Sequence, residues 1–358
     1  MNNFKRILVT GGYGFIGSAV IRKLLRSTDA KIFNLDKFGS VSDDQSIHEI
    51  INSDNKYKER YSYFKVDLID FSLLNSVFNK INPDLVLHLA AESHVDRSID
   101  SPLQFLNSNI IGTFNLVEVF RNYFNKNKNK NHNLKLLHIS TDEVFGSLGK
   151  VGEFNELTPY DPRSPYSASK ACSDHLVRAW RHTYNLPFII TNCSNNFGPW
   201  QFPEKLIPLT IQKIINGDKI PIYGNGLQIR DWLYVEDHVN ALLLVSDKGV
   251  SGEDYCIGGK SEKTNIEVIK NISLIINSIL PKNHCLENLI NYVSDRPGHD
   301  TRYAINFKKI NQELGWEPKY NFDDALEITI KWYLDNQDWC TKVLNKADYK
   351  IQRLGLIN

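Results

Sequence analysis

Cysteine is scarce in this chain of 358 residues, where it occurs only five times, at widely spaced positions and never as a Cys-x-x-Cys pair. An odd number of scattered cysteines argues against a disulfide framework, and we predict no metal site. The pattern fits a reducing compartment, so we expect a cytoplasmic protein. The five residues are Cys172, Cys193, Cys256, Cys285 and Cys340.

Long apolar runs and an excess of one charge are also missing. The longest apolar stretches are too short to cross a bilayer, and residues 1–6 lead into an apolar strand without the core of a signal peptide. The 42 Lys and Arg residues nearly balance the 41 Asp and Glu residues, which leaves a net charge of +1. We therefore expect neither nucleic acid nor a membrane as a partner. The Asn/Lys-rich residues 125–133 lack aromatics and are predicted to be a solvated loop.

What the chain does have is a regular alternation of short β-branched runs and longer amphipathic stretches over its first 140 residues. This alternation predicts an α/β fold with a doubly wound parallel sheet. Strands are predicted at residues 7–10, 32–36, 63–67, 85–89 and 134–140, and helices at 15–26, 72–80, 103–124, 203–216, 265–279 and 321–335.

The pattern loosens beyond residue 191, where turn sequences become frequent. We expect residues 1–190 to form a dinucleotide-binding domain, to which residues 228–250 return. Residues 191–335 are predicted to form a smaller α/β substrate-binding lobe, and residues 336–358 a C-terminal tail.

A glycine triplet follows the first predicted strand and opens the first predicted helix. Gly11, Gly14 and Gly17 allow backbone to approach a pyrophosphate, which the N–H groups of the helix N-terminus attract. Asp36 ends the second strand, where a carboxylate can accept from ribose hydroxyls and would repel a 2′-phosphate. The pattern favours NAD over NADP as the cofactor. The alternative is a tight turn that binds no ligand.

Two residues at the end of the third predicted strand, Asp67 and Leu68, are candidate contacts for adenine. An acid that closes a strand is equally typical of a simple turn former.

Tyr166 and Lys170 are spaced one helical turn apart after Pro165, a favourable helix start. A lysine so placed can lower the pKa of the tyrosine toward that of a useful base. The alternative is a surface pair on a helix. Tyr61 and Lys65 have the same spacing, but they lead into the third predicted strand, so we exclude them.

Thr141, Asp142 and Glu143 follow the fifth predicted strand, at the sheet edge where ligands of such folds bind. Hydride transfer needs only the tyrosine and the lysine, so an additional acid and base indicate a second reaction, which we interpret as elimination of water. The alternative is that these residues cap the next element, which would not explain the second acid.

The chain resembles the extended short-chain dehydrogenases/reductases, and within them the dTDP-glucose 4,6-dehydratase family. The resemblance rests on TGGYGFIG (10–17), HLAAESHVDRS (88–98), TDEVFG (141–146), SPYSASK (164–170), NNFGP (195–199), FPEKLIP (202–208), RDW (230–232) and DRPGHD (295–300). It implies a Rossmann domain that binds NAD. Residues 38–42, Ser108 and the tail from residue 339 depart from the family pattern.

The resemblance implies a role for each catalytic candidate. Tyr166, assisted by Lys170, would remove the hydroxyl proton at carbon 4 of glucose while NAD accepts the hydride, and Thr141 would position that hydroxyl. Glu143 would then remove the proton on carbon 5, and Asp142 would protonate the hydroxyl that leaves carbon 6. The hydride returns to carbon 6, which gives a 4-keto-6-deoxy sugar nucleotide in a deoxy-sugar pathway of the rhamnose type.

The same resemblance implies the binding residues. The cofactor would contact Gly11, Gly14, Phe15, Ile16, Gly17, Asp36, Lys37, Asp67, Leu68, Leu89, Ala90, Ala91, Ser108, Tyr166, Lys170 and Asn196. The substrate would contact Ser93, Thr141, Asn195, Lys205, Leu206, Tyr223, Arg230, Asn265, Arg296 and His299. The charged members of the second set are suited to a diphosphate, although each alone is also typical of a surface ion pair.

Two other functions remain open at this point. A UDP-glucose 4,6-dehydratase would share all of this chemistry, and a non-catalytic NAD-sensing regulator would share the cofactor site. The family also implies a homodimer with a four-helix interface. Its apolar surface would come from Leu103, Phe105, Leu106, Ile110, Leu116, Leu176, Val177 and Trp180.

Overall fold

The computed structural model of the chain describes residues 3–39, 41–127, 134–280 and 285–345. Most of the predicted solvated loop at 125–133 and of the predicted tail at 336–358 lies outside these ranges.

The described residues form twelve strands and fifteen α-helices. The strands are β1 (Arg6–Thr10), β2 (Lys31–Asp36), β3 (Tyr61–Lys65), β4 (Leu85–His88), β5 (Lys135–Thr141), β6 (Phe188–Cys193), β7 (Asn195–Phe197), β8 (Ile220–Tyr223), β9 (Ile229–Tyr234), β10 (Asp254–Ile257), β11 (Glu262–Thr264) and β12 (Ile290–Val293). The helices are α1 (Phe15–Ser27), α2 (Gln45–Ser53), α3 (Asn55–Lys58), α4 (Phe71–Ile81), α5 (Val95–Asp100), α6 (Pro102–Phe105), α7 (Gly112–Asn127), α8 (Pro165–Tyr184), α9 (Leu206–Asn216), α10 (Val235–Lys248), α11 (Asn265–Ile279), α12 (Leu286–Leu289), α13 (Lys308–Leu314), α14 (Phe322–Asp335) and α15 (Gln337–Leu344).

The main sheet has seven strands in the order β10-β6-β5-β4-β1-β2-β3, and every pairing within it is parallel. The strand order reverses beside β1, so the predicted doubly wound sheet is confirmed. Both faces are buried, as the apolar sequence of β1 requires. Ile7 and Val9 pack into the core on one face, and Leu8 packs into the core on the other.

Two predicted elements differ from the structure. The third strand ends at Lys65 and not at Asp67, because the Asp67 carboxylate accepts a hydrogen bond from the Ile69 N–H at 3.1 Å in the following turn. The helix predicted at 103–124 is interrupted by a π-helical segment, Leu106–Ile111, which divides it into α6 and α7. The extra residue per turn rotates the faces of the two parts relative to each other.

The structure corrects part of the predicted dimer surface. Phe105 on α6, Leu116 on α7 and Val177 on α8 are buried within the subunit, where each packs in a hydrophobic cluster. Leu103 and Leu106 are exposed, and so are Ile111 and Phe114, which the prediction had not included.

The remaining strands form a second structural region. β7, β9 and β11 make a three-stranded sheet, and β8 pairs with β12. Helices α9, α11 and α14 pack against one another beside them. However, β10 lies within the predicted lobe at 191–335 and pairs with β6 in the main sheet. The division of the chain into a dinucleotide-binding domain and a substrate-binding lobe stays a prediction.

Candidate active site

A cavity of about 320 Å³ opens at the carboxyl ends of the parallel strands, between the main sheet and the second region. All of the predicted cofactor residues line it. They are Gly11, Gly14, Phe15, Ile16, Gly17, Asp36, Lys37, Asp67, Leu68, Leu89, Ala90, Ala91, Ser108, Tyr166, Lys170 and Asn196. A cavity at this end of a doubly wound sheet is where nucleotides bind.

The glycine-rich loop is shaped for close approach of backbone. Gly11 has φ +71°, and a Cβ there would lie 2.7 Å from the Ala90 backbone nitrogen. A Cβ on Gly17 would lie 2.1 Å from the Gly11 carbonyl oxygen, so only glycine lets α1 begin here. The N-terminus of α1 at Gly14 has no side-chain cap. These features fit the pyrophosphate of a dinucleotide.

The Asp36 carboxylate organises the loop that follows β2. It accepts hydrogen bonds from the backbone N–H of Tyr13 at 3.0 Å and of Phe38 at 2.7 Å, and from the Ser42 hydroxyl at 3.0 Å. Burial raises the pKa of Asp36, while these donors lower it. The carboxylate also lines the cavity, as a contact with a ribose would require.

An ion pair joins the two sides of the cavity near the same end. The Lys37 ammonium, after β2, lies 2.7 Å from the Glu92 carboxylate, after β4. The backbone N–H of Glu92 in turn donates to Asn109 at 2.8 Å, which ties this loop to the π-helical segment.

Helix α8 brings the Tyr166 and Lys170 side chains into the cavity. Ser164 and Ser167 form a capping box, and Pro165 occupies the first turn, so the helix starts immediately before Tyr166. Both side chains are buried, which excludes the surface-pair alternative. The Lys170 ammonium donates to the Ile139 carbonyl at 2.9 Å.

The expected lowering of the tyrosine pKa is not observed. Burial first, and then the charge of Glu143, raise the pKa of Tyr166 well above its usual value, while a hydrogen bond with Thr141 lowers it. The expectation considered the spacing to Lys170 alone. It left out the carboxylates of the adjacent loop, whose negative charges oppose a tyrosinate.

Thr141, Asp142 and Glu143 sit at the end of β5 and the start of a short 3-10 helix, Asp142–Phe145. The capping alternative is correct for the threonine, whose hydroxyl oxygen accepts from the Glu143 N–H at 3.3 Å. That hydroxyl also donates to the Asp142 carboxylate at 3.2 Å. The other Asp142 oxygen is buried without a hydrogen-bond partner among the described residues.

The two acids differ in their surroundings. Burial, and then the negative charges of Glu143 and Asp231, raise the pKa of Asp142 well above its usual value. Burial also raises the pKa of Glu143, but the positive charges of Arg296, Arg230 and Lys205 oppose that rise. Of the two acids, Asp142 is therefore the one whose neutral form is more strongly favoured, and the nearby cations favour the ionised form of Glu143.

A buried network behind the cavity was missed by the sequence analysis. Asp174, fully buried one helical turn after Lys170, accepts from His138 at 3.0 Å, Ser140 at 2.7 Å and Tyr160 at 2.8 Å. Burial opposes the ionised form of Asp174, but His138, Lys170 and Ser140 hold its pKa below the usual value. The carboxylate thus fixes α8 against β5 at the level of Lys170. The only sequence signal was its spacing from Lys170.

The predicted substrate residues divide into two groups. Ser93, Thr141, Asn195 and Lys205 line the cavity. The residues that do not line it are Leu206, Tyr223, Arg230, Asn265, Arg296 and His299.

Three members of the second group are held by acids. Arg296 lies 3.6 Å from Asp96, and the Tyr223 hydroxyl donates to the same carboxylate at 2.6 Å. His299 pairs with Asp295 at 2.6 Å. Burial and the nearby Arg296 and Arg230 lower the pKa of His299 to about 4, so the imidazole is neutral at neutral pH.

Arg230 is not a surface residue, which excludes the ion-pair alternative for it. Its side chain is buried, donates to the Asp300 carbonyl at 3.0 Å and lies over the Tyr303 ring at 4.2 Å. Its positive charge acts on both Asp142 and Glu143. Leu206 and Asn265 each begin a helix, α9 and α11 respectively.

The described ranges contain neither a metal centre nor a membrane-spanning helix. No group of His, Cys, Asp or Glu side chains there is arranged to hold a metal ion. No helix in the same part of the chain is long and apolar enough to cross a membrane.

The parallel sheet, the glycine cradle and the buried tyrosine and lysine together define a dinucleotide-binding enzyme of the short-chain dehydrogenase/reductase type. The chain belongs to the GDP-mannose 4,6 dehydratase family, whose model matches residues 8–329. It is 51% identical to the dTDP-glucose 4,6-dehydratase of Neisseria meningitidis serogroup B, over 98% of this chain and 99% of that protein.

Solved structures agree with this assignment. The dTDP-glucose 4,6-dehydratase of Bacillus anthracis in complex with NAD superposes with a TM-score of 0.82 at 41% identity, covering 95% of this chain and 99% of that one. The Streptomyces venezuelae dTDP-glucose 4,6-dehydratase DesIV, also with NAD bound, gives 0.85 at 36% identity, covering 94% and 99%. A Thermus thermophilus UDP-glucose 4-epimerase gives 0.81 at only 25% identity, covering 92% and 99%.

Proposed function

We propose that this protein catalyses the NAD-dependent dehydration of dTDP-glucose to the 4-keto-6-deoxy sugar nucleotide. The observation that carries the proposal is the pair of adjacent acids, Asp142 and Glu143, at the end of β5 beside Tyr166. A dehydrogenase or an epimerase needs no such pair. Curated dTDP-glucose 4,6-dehydratases about half identical over nearly the whole chain favour dTDP-glucose over UDP-glucose as the substrate.

The cofactor fits the cradle of Gly11, Gly14 and Gly17, with Asp36 placed for the ribose hydroxyls. When bound, NAD supplies an acceptor for the hydride of carbon 4 and a donor of the same hydride to carbon 6. We assign Ala90, Ala91 and Asn196 to the nicotinamide side of the cavity, which they line together with Lys170.

Tyr166 takes the proton of the hydroxyl on carbon 4. The Thr141 hydroxyl, which is hydrogen-bonded to Tyr166, positions that hydroxyl. The positive charge of Lys170, one helical turn away, opposes the rise in the Tyr166 pKa that burial and Glu143 cause, and Asp174 keeps α8 in register with β5 so that this charge stays in place. Proton transfer by a positioned side chain contributes on the order of a hundred- to ten-thousand-fold to the rate.

The two acids then divide the elimination between them. Glu143, kept ionised by the arginines, removes the proton on carbon 5, which the new ketone has made acidic. Asp142, kept neutral by burial and by Glu143, donates a proton to the hydroxyl that leaves carbon 6. Two neighbouring residues can act as acid and base because the 3-10 turn gives their side chains different environments.

The diphosphate of the substrate is assigned to the cationic side of the cleft. Lys205 donates to the Ser93 carbonyl at 3.1 Å at the rim of the cavity, and Arg296 and His299 lie beyond it. Arginine suits this task because its fork binds two oxygens at once. The further residues that we assign to the nucleotide are Asn195, Leu206, Tyr223, Arg230 and Asn265.

Product formation tests the proposal. Purified protein incubated with dTDP-glucose should give the absorbance of the 4-keto product in alkali, and UDP-glucose should be a much poorer substrate. A Tyr166→Phe variant is the control for background. Product from UDP-glucose alone would transfer the assignment to that nucleotide. Bound NAD without product from either sugar nucleotide would favour the non-catalytic regulator.

We also propose a homodimer. Four apolar side chains are exposed along α6, the π-helical segment and α7, namely Leu103, Leu106, Ile111 and Phe114. Phe114 touches Trp180 of α8, with ring centroids 5.8 Å apart, so two copies could bring four helices together.

Light scattering should give twice the chain mass of 41.2 kDa. Leu106→Glu should lower it to one chain, whereas Leu274→Glu, which changes an even more exposed leucine on α11, should not. A single-chain mass for the unmodified protein would contradict the dimer.

The cellular setting is a further part of the proposal. All five cysteines are free, as a cytoplasmic protein requires, and we propose that the product enters a deoxy-sugar pathway of the rhamnose type. Loss of the deoxy sugar from cells that lack this protein would support that role, and an unchanged sugar content would contradict it.

A further inference from the structure

The last described helix, α15, packs against the back of the cofactor side. It lies outside residues 8–329, which the family model matches, and in the part of the sequence that resembles the family least. Trp339 is only 3% exposed, and Cys340 and Val343 beside it are fully buried. A terminal helix anchored so deeply contributes to whatever it covers.

Trp339 makes one directed contact. Its indole N–H donates to the Asp43 carboxylate at 3.0 Å, across 296 positions of the chain, and both atoms are buried. Hydrogen bonds to a charged acceptor in a buried setting are among the stronger ones in proteins. The contact therefore fixes the loop that carries Asp43 to the C-terminal helix.

That loop is the one that follows β2 and forms a wall of the cofactor cavity. The Asp43 backbone N–H donates to the Tyr13 carbonyl at 3.0 Å, in the glycine-rich loop. One residue earlier, the Ser42 hydroxyl donates to Asp36 at 3.0 Å. Val41 and Ser42 line the cavity directly. Asp43 thus connects the glycine-rich loop, the Asp36 loop and α15.

The tryptophan also contacts a second wall of the cavity. Its ring lies 5.3 Å from Trp200 and 5.3 Å from Trp332, measured between centroids. Gln201 and Phe202, which follow Trp200, line the cavity, and the Gln201 side chain donates to the Asn196 carbonyl at 2.9 Å. Trp339 also lines a small cavity between the Asp36 loop and the segment at 200–202. Its other lining residues include Phe15, Val41, Trp200 and Phe202.

We propose that Trp339 is a positioning residue for the cofactor. Through its hydrogen bond to Asp43 and its ring contact with Trp200, Trp339 holds the Asp36 loop and the segment at 200–202 against bound NAD. The inference rests on the proposed function only in so far as NAD is the cofactor. It adds that the C-terminal helix sets how tightly NAD is kept, which matters because an enzyme that returns its hydride gains nothing from releasing the cofactor during the reaction.

Trp339→Phe tests the hydrogen bond while it keeps an aromatic ring in the cluster. The rate at which NAD leaves the purified protein, followed by rapid desalting and assay of the nucleotide, should rise on the order of five- to thirty-fold. Turnover with saturating added NAD should stay within about two-fold of the unmodified protein.

Trp332→Phe is the matched control, because it makes the same substitution in the same ring cluster without touching the contact to Asp43. It should leave NAD release unchanged. If both variants released NAD faster, each in proportion to its loss of thermal stability, the proposal would be overturned. Trp339 would then contribute only through packing.

Asp43→Ala approaches the same contact from the loop, and it keeps the proposal testable if Trp339→Phe does not fold. It should release NAD at least as fast as Trp339→Phe, because Asp43 also accepts from the Gln45 N–H at 3.0 Å, and adding Trp339→Phe to it should raise the release rate no further. Additive effects, or NAD retention like that of the unmodified protein, would contradict the inference. An unmodified protein that binds no NAD would instead refute the proposed function.

Discussion

The two sides of the cleft are built differently. On the cofactor side, every predicted contact residue already lines one cavity, and its shape depends on backbone and on loops at strand ends. On the substrate side, Tyr223, Arg296 and His299 are paired with the carboxylates of Asp96 and Asp295. The proposed cofactor site is therefore largely preformed, whereas a bound diphosphate would have to compete with acidic side chains of the protein for Arg296 and His299.

This difference suits the proposed reaction. A cofactor that is retained through many turnovers favours a site that exists before it binds. A substrate that must enter and leave favours a site whose charges are partly neutralised while it is away, because isolated buried cations are unfavourable. The proposed catalytic acids, Asp142 and Glu143, line the same cavity, and cations from the substrate side favour the ionised form of Glu143.

The largest effect is expected where the two sides meet. Glu143→Gln should lower turnover on the order of a hundred- to ten-thousand-fold and abolish exchange of the carbon 5 proton with solvent deuterium. Asp142→Asn should also lower turnover, but exchange at carbon 5 should continue, because the base remains. Proton NMR of the sugar nucleotide in deuterium oxide distinguishes the two. Near-normal exchange in Glu143→Gln would assign the base to another residue.

A change confined to the substrate side should have the next largest effect. Arg296→Ala should weaken binding of dTDP by roughly ten- to a hundred-fold, since a charged hydrogen bond to phosphate is lost. Retention of NAD should be unchanged. Arg302→Ala, which removes another partly buried arginine that is also paired with an acid, Glu262, is the control and should bind dTDP normally. If Arg296→Ala released NAD as well, the two sides would not be separable.

The substrate side should also respond to pH. The pKa of His299 is lowered to about 4, so the free imidazole is neutral at pH 7. The negative charge of a bound diphosphate raises the pKa of His299. Binding therefore protonates His299, and the affinity increases as the pH falls through the pKa that His299 has in the complex. Between pH 7 and pH 5, a Tyr166→Phe protein should bind dTDP-glucose roughly three- to ten-fold more tightly. Adding His299→Gln should flatten this dependence, and an unchanged slope would exclude His299.

The smallest effect should have the opposite sign. Asp96→Asn removes the carboxylate that lies 3.6 Å from Arg296, so the arginine no longer has an internal competitor. Calorimetry should give dTDP binding that is tighter by about two- to five-fold. Weaker binding would mean that Asp96 orients Arg296 for the substrate and does not compete with it.

The sequence signals for the cofactor side are local, which is why all of the residues predicted there line one cavity. Gly11, Gly14 and Gly17 lie close together in the sequence. The carboxyl ends of parallel strands meet at one edge of the sheet, independently of the packing elsewhere. The adjacent acids and the pair of Tyr166 and Lys170 were found in the same way.

The contacts that the sequence did not predict join distant parts of the chain. Trp339 meets Asp43 across 296 positions, Tyr223 meets Asp96 across 127, and Asp174 meets His138 across 36. No short pattern marks such pairs. The π-helical segment was missed for another reason, since one extra residue in a turn leaves helix propensity unchanged and alters only which side chains are buried.

The path of the hydride tests the central claim most directly. dTDP-glucose that carries deuterium at carbon 4 should be converted, in ordinary water, to a 4-keto product with that deuterium in the methyl group at carbon 6. Mass spectrometry and deuterium NMR locate the label. Full retention at carbon 6, with one solvent hydrogen at carbon 5, is the predicted result. Loss of the deuterium to solvent, or its return to carbon 4 with inverted configuration, would contradict dehydration by internal hydride transfer.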